Sequence, residues 1–256
     1  MRCRVKILIF GGLGKTAETI IELLDKRKHS ITAFDISNNN QYSHNKDIKV
    51  IHGDICNREA VKNALSGIDI VLHLAVNISA PHDNELSFRT NVFGTYNILN
   101  CALLNKVSKI LIASSAPVHN TNNLVKLTGT DTDVDYICSS GEDFPYDLTK
   151  YLQETTAKHF TRTFSMNCLV LRLGHIVDGK RQTTLSGVPL SELTYCKGGW
   201  VCRYDVARAF AEAVETDFTG YHVINIIGSY QAADMFDLST TKELLSFECE
   251  EKFLDY

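Results

Sequence analysis

A run that is apolar at nearly every position, Val5 to Phe10, breaks directly into Gly11-Gly12-Leu13-Gly14, and a helical stretch to about Lys28 follows. That order constrains the fold more than any other feature of the chain. A continuously apolar strand is one covered on both faces, and such strands belong to parallel sheets flanked by helices. The alternation then continues. Ser30 to Asp35, Ile48 to Ile51 and Ile68 to Leu74 read as strands, and Asn57 to Leu65 reads as a short helix ended by Gly67. Asn84 to Asn105 reads as a long helix, Lys109 to Ala113 as a fifth strand, Tyr146 to Phe164 as a helix and Cys168 to Leu173 as a sixth strand. Repeated β-α-β units predict an α/β fold, a doubly wound parallel sheet with helices on both faces.

The last third is less regular. Arg181 to Lys197 is polar and dotted with Gly, Ser and Thr, which reads as a loop long enough to act as a lid. Asp205 to Glu215 reads as a helix, Tyr221 to Ile227 as a strand and Leu238 to Leu245 as a short helix. The expectation is a core over residues 1–175 and a small substrate-binding cap over 176–256, interleaved in one compact unit.

The glycine turn has the chemistry of a dinucleotide site. Gly11 permits the tight turn, Gly14 lets the backbone approach a pyrophosphate at the helix N-terminus, and Ala17 is small enough to pack helix against strand. Gly14-Lys15-Thr16 does not make a nucleoside-triphosphatase phosphate loop, because Ile9 stands where that motif needs its first glycine. Asp35 ends the second strand, 21 residues after Gly14, where a carboxylate accepts from adenosine ribose hydroxyls and repels a 2′-phosphate. The following Ile36-Ser37-Asn38-Asn39-Asn40 offers no cation, so NAD is favoured over NADP. Gly53-Asp54-Ile55 places Asp54 near an adenine amino group, or makes a simple turn.

Tyr146 and Lys150 supply a proton-transfer pair. A free tyrosine has a pKa of about 10, and a lysine four residues later on a helix shares its face. The ammonium favours the phenolate and so makes Tyr146 a base suited to a secondary alcohol.

Taken together these segments resemble the extended short-chain dehydrogenase/reductases, the NAD-dependent epimerase/dehydratase family, whose core is Rossmann-like. The resemblance runs through the glycine turn with Leu13, Gly53-Asp54-Ile55, Val71-Leu72-His73-Leu74-Ala75, Asn91-Val92-Phe93-Gly94-Thr95, Ser114-Ser115-Ala116-Pro117-Val118, Tyr146 with Lys150, Leu171-Arg172-Leu173-Gly174 and Tyr204-Asp205-Val206-Ala207-Arg208-Ala209. It implies NAD as cofactor, with Leu13, Ile55, Leu74 and Ala75 along it, and Ser115, Tyr146 and Lys150 as the catalytic set. Tyr146 takes the hydroxyl proton, Lys150 lowers the tyrosine's pKa and holds the nicotinamide ribose, and Ser115 hydrogen-bonds the substrate oxygen. Ser114 reads as a strand-end hydrogen-bond partner, and Asn91 either as a buried amide satisfying local backbone or as a group with a direct catalytic role.

The departures narrow the reaction. Ala116-Pro117 stands where the family's dehydratases resemble one another in an Asp-Glu pair, which points away from dehydration. Val118-His119-Asn120 and His175 replace residues typical of nucleotide-sugar epimerases, and the C-terminal region is short. A compact C-terminal region, with Gly199-Trp200-Val201-Cys202-Arg203-Tyr204-Asp205-Val206, resembles uronate dehydrogenases, which act on free sugar acids. His119, Arg172, His175 and Arg203 are therefore candidates to meet a carboxylate or polyol. For Arg172 and for Arg203, pairing with an acid is the alternative. Three activities follow: a dehydrogenase of a sugar-like secondary alcohol, an epimerase with tightly held NAD, or an NAD-binding protein that catalyses little. The intact catalytic set argues against the last.

Charge and cysteine usage exclude other classes. A net charge of -4 with scattered cations gives no nucleic-acid surface, and the one cluster, Lys26-Arg27-Lys28, sits at a helix end favoured by the dipole. The N-terminal apolar run is too short for a membrane span. Eight cysteines without a C-x-x-C pair predict reduced thiols in a cytoplasmic protein. The resemblance also implies a homodimer through the Asn84–Asn105 and Tyr146 helices.

Overall fold

The structure, a computed structural model, describes residues 4–39, 41–77, 84–116, 144–194 and 197–256. Seven parallel strands form its main sheet: β1 (Lys6–Phe10), β2 (Ser30–Asp35), β3 (Ile48–His52), β4 (Ile70–His73), β5 (Lys109–Ser115), β6 (Cys168–Leu173) and β10 (Tyr221–Ile226). Their order across the sheet is β10-β6-β5-β4-β1-β2-β3. The chain winds outward from β1 to β3 and then restarts at β4 on the other side of β1. That reversal opens a crevice at the carboxyl ends of the two central strands.

The strand pattern explains why both faces are covered. Successive side chains of a strand point to opposite faces. In β1, Ile7 and Ile9 join one apolar cluster with Ile20 and Leu24 of α1 (Lys15–Lys26) and Phe210 of α6 (Arg203–Glu215). Leu8 and Phe10 join the other, with Val61 of α2 (Arg58–Ala64), Ile98 of α4 (Thr95–Leu104) and Ala157 of α5 (Phe144–Phe164). Ile7, Leu8, Ile9 and Phe10 are completely buried, and each such side chain contributes about 1.5–3 kcal/mol of burial free energy.

The long helix after β4 is not uniform. It runs as α3 (Asn84–Phe88), a π-helical turn (Arg89–Gly94) and α4. The wider turn presents the fully buried Asn91 to the loop after β4: its Oδ1 accepts from the Asn77 amide (2.8 Å) and its Nδ2 donates to the Asn77 carbonyl (3.2 Å) and to Thr149 Oγ1 (3.0 Å). Gly94 closes the turn where a Cβ would meet the Ile55 side chain at 2.5 Å.

The cap is built from β7 (His175–Asp178), β8 (Thr183–Thr184) and β9 (Trp200–Cys202), with α7 (Ala232–Met235) and α8 (Ser239–Leu245). β7 pairs with β9 in parallel and with β8 antiparallel. Its own cluster gathers Trp200, Phe236, Phe253 and Leu190. The stretch Arg181–Lys197, expected as loop, thus carries one short strand and a 3-10 turn at Leu190–Glu192. The basic cluster at the end of α1 also does more than cap the helix. Arg27 reaches Glu212 (2.6 Å) and Glu215 (2.9 Å) of α6.

Candidate active site

The glycine turn is held by backbone bonds. Gly11 N and Gly12 N donate to Phe34 O (2.9 and 3.2 Å), and Leu13 N donates to Asp35 Oδ2 (2.9 Å), while Asp35 Oδ1 accepts from Ser37 N (2.9 Å). Gly11 has φ +80°, and a Cβ there would lie 2.6 Å from the Ala75 amide nitrogen. The first bond inside α1 runs from Glu18 N to Gly14 O (3.2 Å), so the amides of Lys15, Thr16 and Ala17 precede the helical ladder. All three residues line a cleft of about 820 Å³, together with Gly11, Asp35, Asp54, Ala75 and His175. Free helix-N-terminal donors, a close glycine approach and a carboxylate at the end of β2 fit a dinucleotide pyrophosphate and ribose. Leu185 and Ser186 of the cap reach over the same cleft, and Lys15 Nζ donates to Leu185 O (3.2 Å).

Helix α5 supplies the other half. Tyr146, Lys150 and Glu154 recur every four residues and so form one stripe. Glu154 accepts from Arg172 Nε (3.0 Å) and Nη2 (2.7 Å) of β6 and from Ser114 Oγ (2.5 Å) of β5. This buried knot fixes the helix across two adjacent strands, in which Ser114 and Arg172 are register partners. One turn earlier, Lys150 Nζ donates to Ala113 O (2.8 Å) and to Gln153 Oε1 (3.1 Å), and lies 5.9 Å from the centre of the Tyr146 ring. Ser115 follows two residues after Ala113, with its Oγ directed to Ala116 O (3.4 Å). Burial holds Lys150 down to about 8, against a raising effect of Glu154, so the lysine is mostly an ammonium at neutral pH. His73, at the end of β4, is pushed down to about 3, first by burial and then by Lys150.

Comparison with known proteins decides the family. The model of the NAD dependent epimerase/dehydratase family matches residues 7–188, well over half of the chain. The chain belongs to that family. It is an NAD-dependent enzyme of the short-chain dehydrogenase/reductase type. It is 23% identical over 216 residues to L-arabinose 1-dehydrogenase (NAD(P)(+)) of Haloferax volcanii, covering 82% of each chain. It also matches human sterol-4-alpha-carboxylate 3-dehydrogenase, decarboxylating, at 30% identity over 154 residues, yet spans only 37% of that protein. A short-chain dehydrogenase/reductase superfamily protein from Agrobacterium tumefaciens with bound NAD superposes with a TM-score of 0.75 at 19% identity, over 96% of this chain and 92% of the other. A mutated uronate dehydrogenase gives 0.72 at 18% identity, over 98% of this chain and 83% of the other. At these identities the two structures speak for the fold.

Within this family member, the residues expected at the cofactor share one cleft except Lys150, which is not among its lining residues. Gly11, Leu13, Gly14, Asp35, Asp54, Ile55, Leu74 and Ala75 all line the cleft, although Asp54 also accepts from the Cys56 amide (2.8 Å) as a turn residue does. The substrate candidates are not brought together. His175 lines the cofactor cleft. Arg172 lies in the ion pair with Glu154. Arg203 bridges α1 and the cap: its Nε donates to Thr19 Oγ1 (2.6 Å), its Nη2 donates to Lys15 O (3.2 Å) and Glu18 Oε2 (2.8 Å), and its Nη1 lies 3.8 Å from Asp178 Oδ2. Each of these guanidiniums, candidates for a carboxylate or polyol, is matched by acids of the protein, which is the ion-pair alternative. His119 lies outside the described residues. Ser114 and Asn91 behave as the strand-end and buried-amide readings expect. The sequence reading missed Glu154, though its spacing of four from Lys150 carried the signal, and Gln153, which had none.

Proposed function

We propose that this enzyme removes hydride from a secondary alcohol of a free sugar or sugar acid, with Ser115, Tyr146 and Lys150 as its catalytic residues. The observation that carries the proposal is the placement of Tyr146 and Lys150 on one stripe of α5, with Lys150 tied to the β5 carbonyl two residues before Ser115. Bound NAD supplies the hydride acceptor. Tyr146 as phenolate takes the hydroxyl proton, Ser115 donates to the substrate oxygen as it becomes a carbonyl, and the Lys150 ammonium favours the phenolate. Lys150 has three N–H donors, two of them committed to protein oxygens, which leaves one for a ribose hydroxyl. Asp35 accepts from the adenosine ribose and Asp54 stands on the adenine side. Ala116-Pro117 after Ser115 lacks the acid/base pair that dehydration needs. The arabinose dehydrogenase, matched over 82% of both chains, favours a small unactivated sugar over a nucleotide sugar.

In this reading residues 1–175 bind the cofactor and residues 176–256 shape the substrate side, with His175 at their junction and His119 as a further substrate contact. The protein works in the cytoplasm as a homodimer. Phe93, Tyr96, Leu104, Phe144 and Phe164 are exposed on the π turn, α4 and α5, and a second copy of this face would cover them. Sedimentation of a single species of monomer mass would refute that part.

The decisive experiment offers NAD with free sugars, sugar acids and nucleotide sugars and follows absorbance of reduced nicotinamide. Net reduction on a free sugar or sugar acid is expected, with loss of at least about 100-fold in Tyr146→Phe and nearly unchanged NAD affinity. An epimerase would instead interconvert sugars with no net absorbance. Full activity of Tyr146→Phe would remove the catalytic assignment.

A further inference from the structure

Gln153 is completely buried three residues beyond Lys150 on α5. Its Oε1 accepts from Lys150 Nζ at 3.1 Å. That contact fixes the carboxamide, because the flipped amide would set its NH2 against an ammonium. The Nε2 group then faces the other way, 3.0 Å from Thr95 Oγ1 and 3.1 Å from His73 Nε2. Burial pushes the His73 pKa down to about 3, so the ring is neutral. The Thr95 hydroxyl, 2.8 Å from that ring nitrogen, gives its one proton to Asn91 O at 2.6 Å and accepts from its other neighbours. His73 Nδ1 is buried with no partner among the described residues. A chain of buried polar groups thus links α5, β4 and the π-helical turn beneath the proposed hydride-transfer centre.

The charged and titratable groups around Lys150 are few. Helix α5 contributes Tyr146, buried Asp147 and Glu154, and β4 contributes His73. From β6, Arg172 acts through its ion pair with Glu154, while β5 offers the Ala113 carbonyl, and the π-helical turn and α4 offer neutral Asn91 and Thr95. Among these, only Ala113 O and Gln153 Oε1 accept directly from the ammonium.

We infer that Gln153 is a positioning residue for Lys150: its carboxamide oxygen holds the ammonium in place and its NH2 group is anchored on the Thr95 hydroxyl behind it. The inference rests on the reading of Tyr146 and Lys150 given above. Two fixed acceptors orient Nζ, so the remaining N–H keeps one direction. The amide dipole also offsets part of the desolvation of a fully buried charge. Removing the acceptor lowers the affinity of Lys150 for its proton. A carboxylate in its place raises it.

The test uses Gln153→Leu and Gln153→Glu in the NAD-free protein, labelled with ¹³C-lysine and ¹⁵N-histidine, with the Lys150 signal assigned by Lys150→Arg. In the parent, the Lys150 side chain is expected to titrate near 8. The Leu variant should titrate roughly one pH unit lower and the Glu variant roughly one unit higher, the size expected for one hydrogen bond to a charged group. His73 should stay neutral through this pH range in the parent and in both variants. The high-pH limb of kcat/KM should move in the same directions, since the ammonium form is the competent one. Unshifted Lys150 titration in a variant that keeps the parent's circular dichroism would overturn the inference, and if Gln153→Leu does not fold, Gln153→Glu decides alone. The titration needs no substrate. Its failure therefore condemns the role of Gln153, whereas absence of turnover on every sugar condemns the dehydrogenase reading.

Discussion

The Arg172→Met variant separates a structural arginine from a substrate-binding one. In the parent, the guanidinium gives three hydrogen bonds to Glu154, at 3.0, 3.2 and 2.7 Å. The two side chains are only 13% and 7% exposed, so solvent screens the pair little. Taking one partner from such a pair strands a desolvated charge, at a cost of about 3–5 kcal/mol. Glu154 keeps the Ser114 hydroxyl as a donor, which argues for the lower end, about 3 kcal/mol. For a chain of this size that lowers Tm by roughly 6–12 °C, at about 2–4 °C per kcal/mol. Thermal and urea unfolding followed by circular dichroism measure it. Adding Glu154→Leu should recover much of the loss, because the stranded charge goes with it. A loss under about 0.5 kcal/mol, combined with a large rise in substrate KM, would refute the reasoning and restore Arg172 as a substrate contact.

Two further substitutions test the cofactor half. Gly11→Ala forces a side chain onto φ +80° and to within 2.6 Å of the Ala75 amide, so it should cost about 1–2 kcal/mol in stability and weaken NAD at least tenfold by calorimetry; unchanged affinity would mean the turn does not approach the pyrophosphate. Asp35→Ala removes an acceptor for the Leu13 amide and a repulsive charge near a 2′-phosphate, so NAD should weaken far more than NADP; equal losses would mean Asp35 only braces the turn.

Strands β1, β4 and β6 were legible because each is a buried, nearly unbroken apolar run, and Gly11, Gly14 and Asp35 were legible because their contacts are local. What escaped is set by partners far away in the chain. The π-helical turn has no local signature; it exists because Asn91 must meet the Asn77 backbone while Gly94 passes Ile55. β7 and β9 have four and three residues, and they become strands only by pairing with other short strands of the cap. An acid partner for Arg203 was foreseeable close by in sequence, yet its α1 partners stand 184 and 185 residues earlier. Lys109 opens β5 and gave no hint that its ammonium caps the end of α6 through Ala213, Val214 and Thr216 carbonyls.

The two halves of the site are built by different means, and this predicts how each will fail. On the pyrophosphate side the contacts are backbone ones, with Gly11 and Gly12 amides on Phe34 O and the Leu13 amide on Asp35. Most side-chain changes there leave the protein's own scaffold standing, apart from those at the glycines. On the chemical side, α5 is both core and proposed active site. Glu154 ties the helix to β5 and β6 and at the same time supports the charge of Lys150 one turn away. A change at Glu154 therefore cannot spare the reaction: Glu154→Gln should lower the melting temperature and also lower the proton affinity of Lys150, withdrawing activity first at high pH. A change at Arg203, which joins α1 to the cap without touching Lys150, should lower stability and NAD affinity while leaving the pH profile in place. If both variants moved the profile alike, the separation between a backbone-built cofactor half and a side-chain-built catalytic half would be wrong.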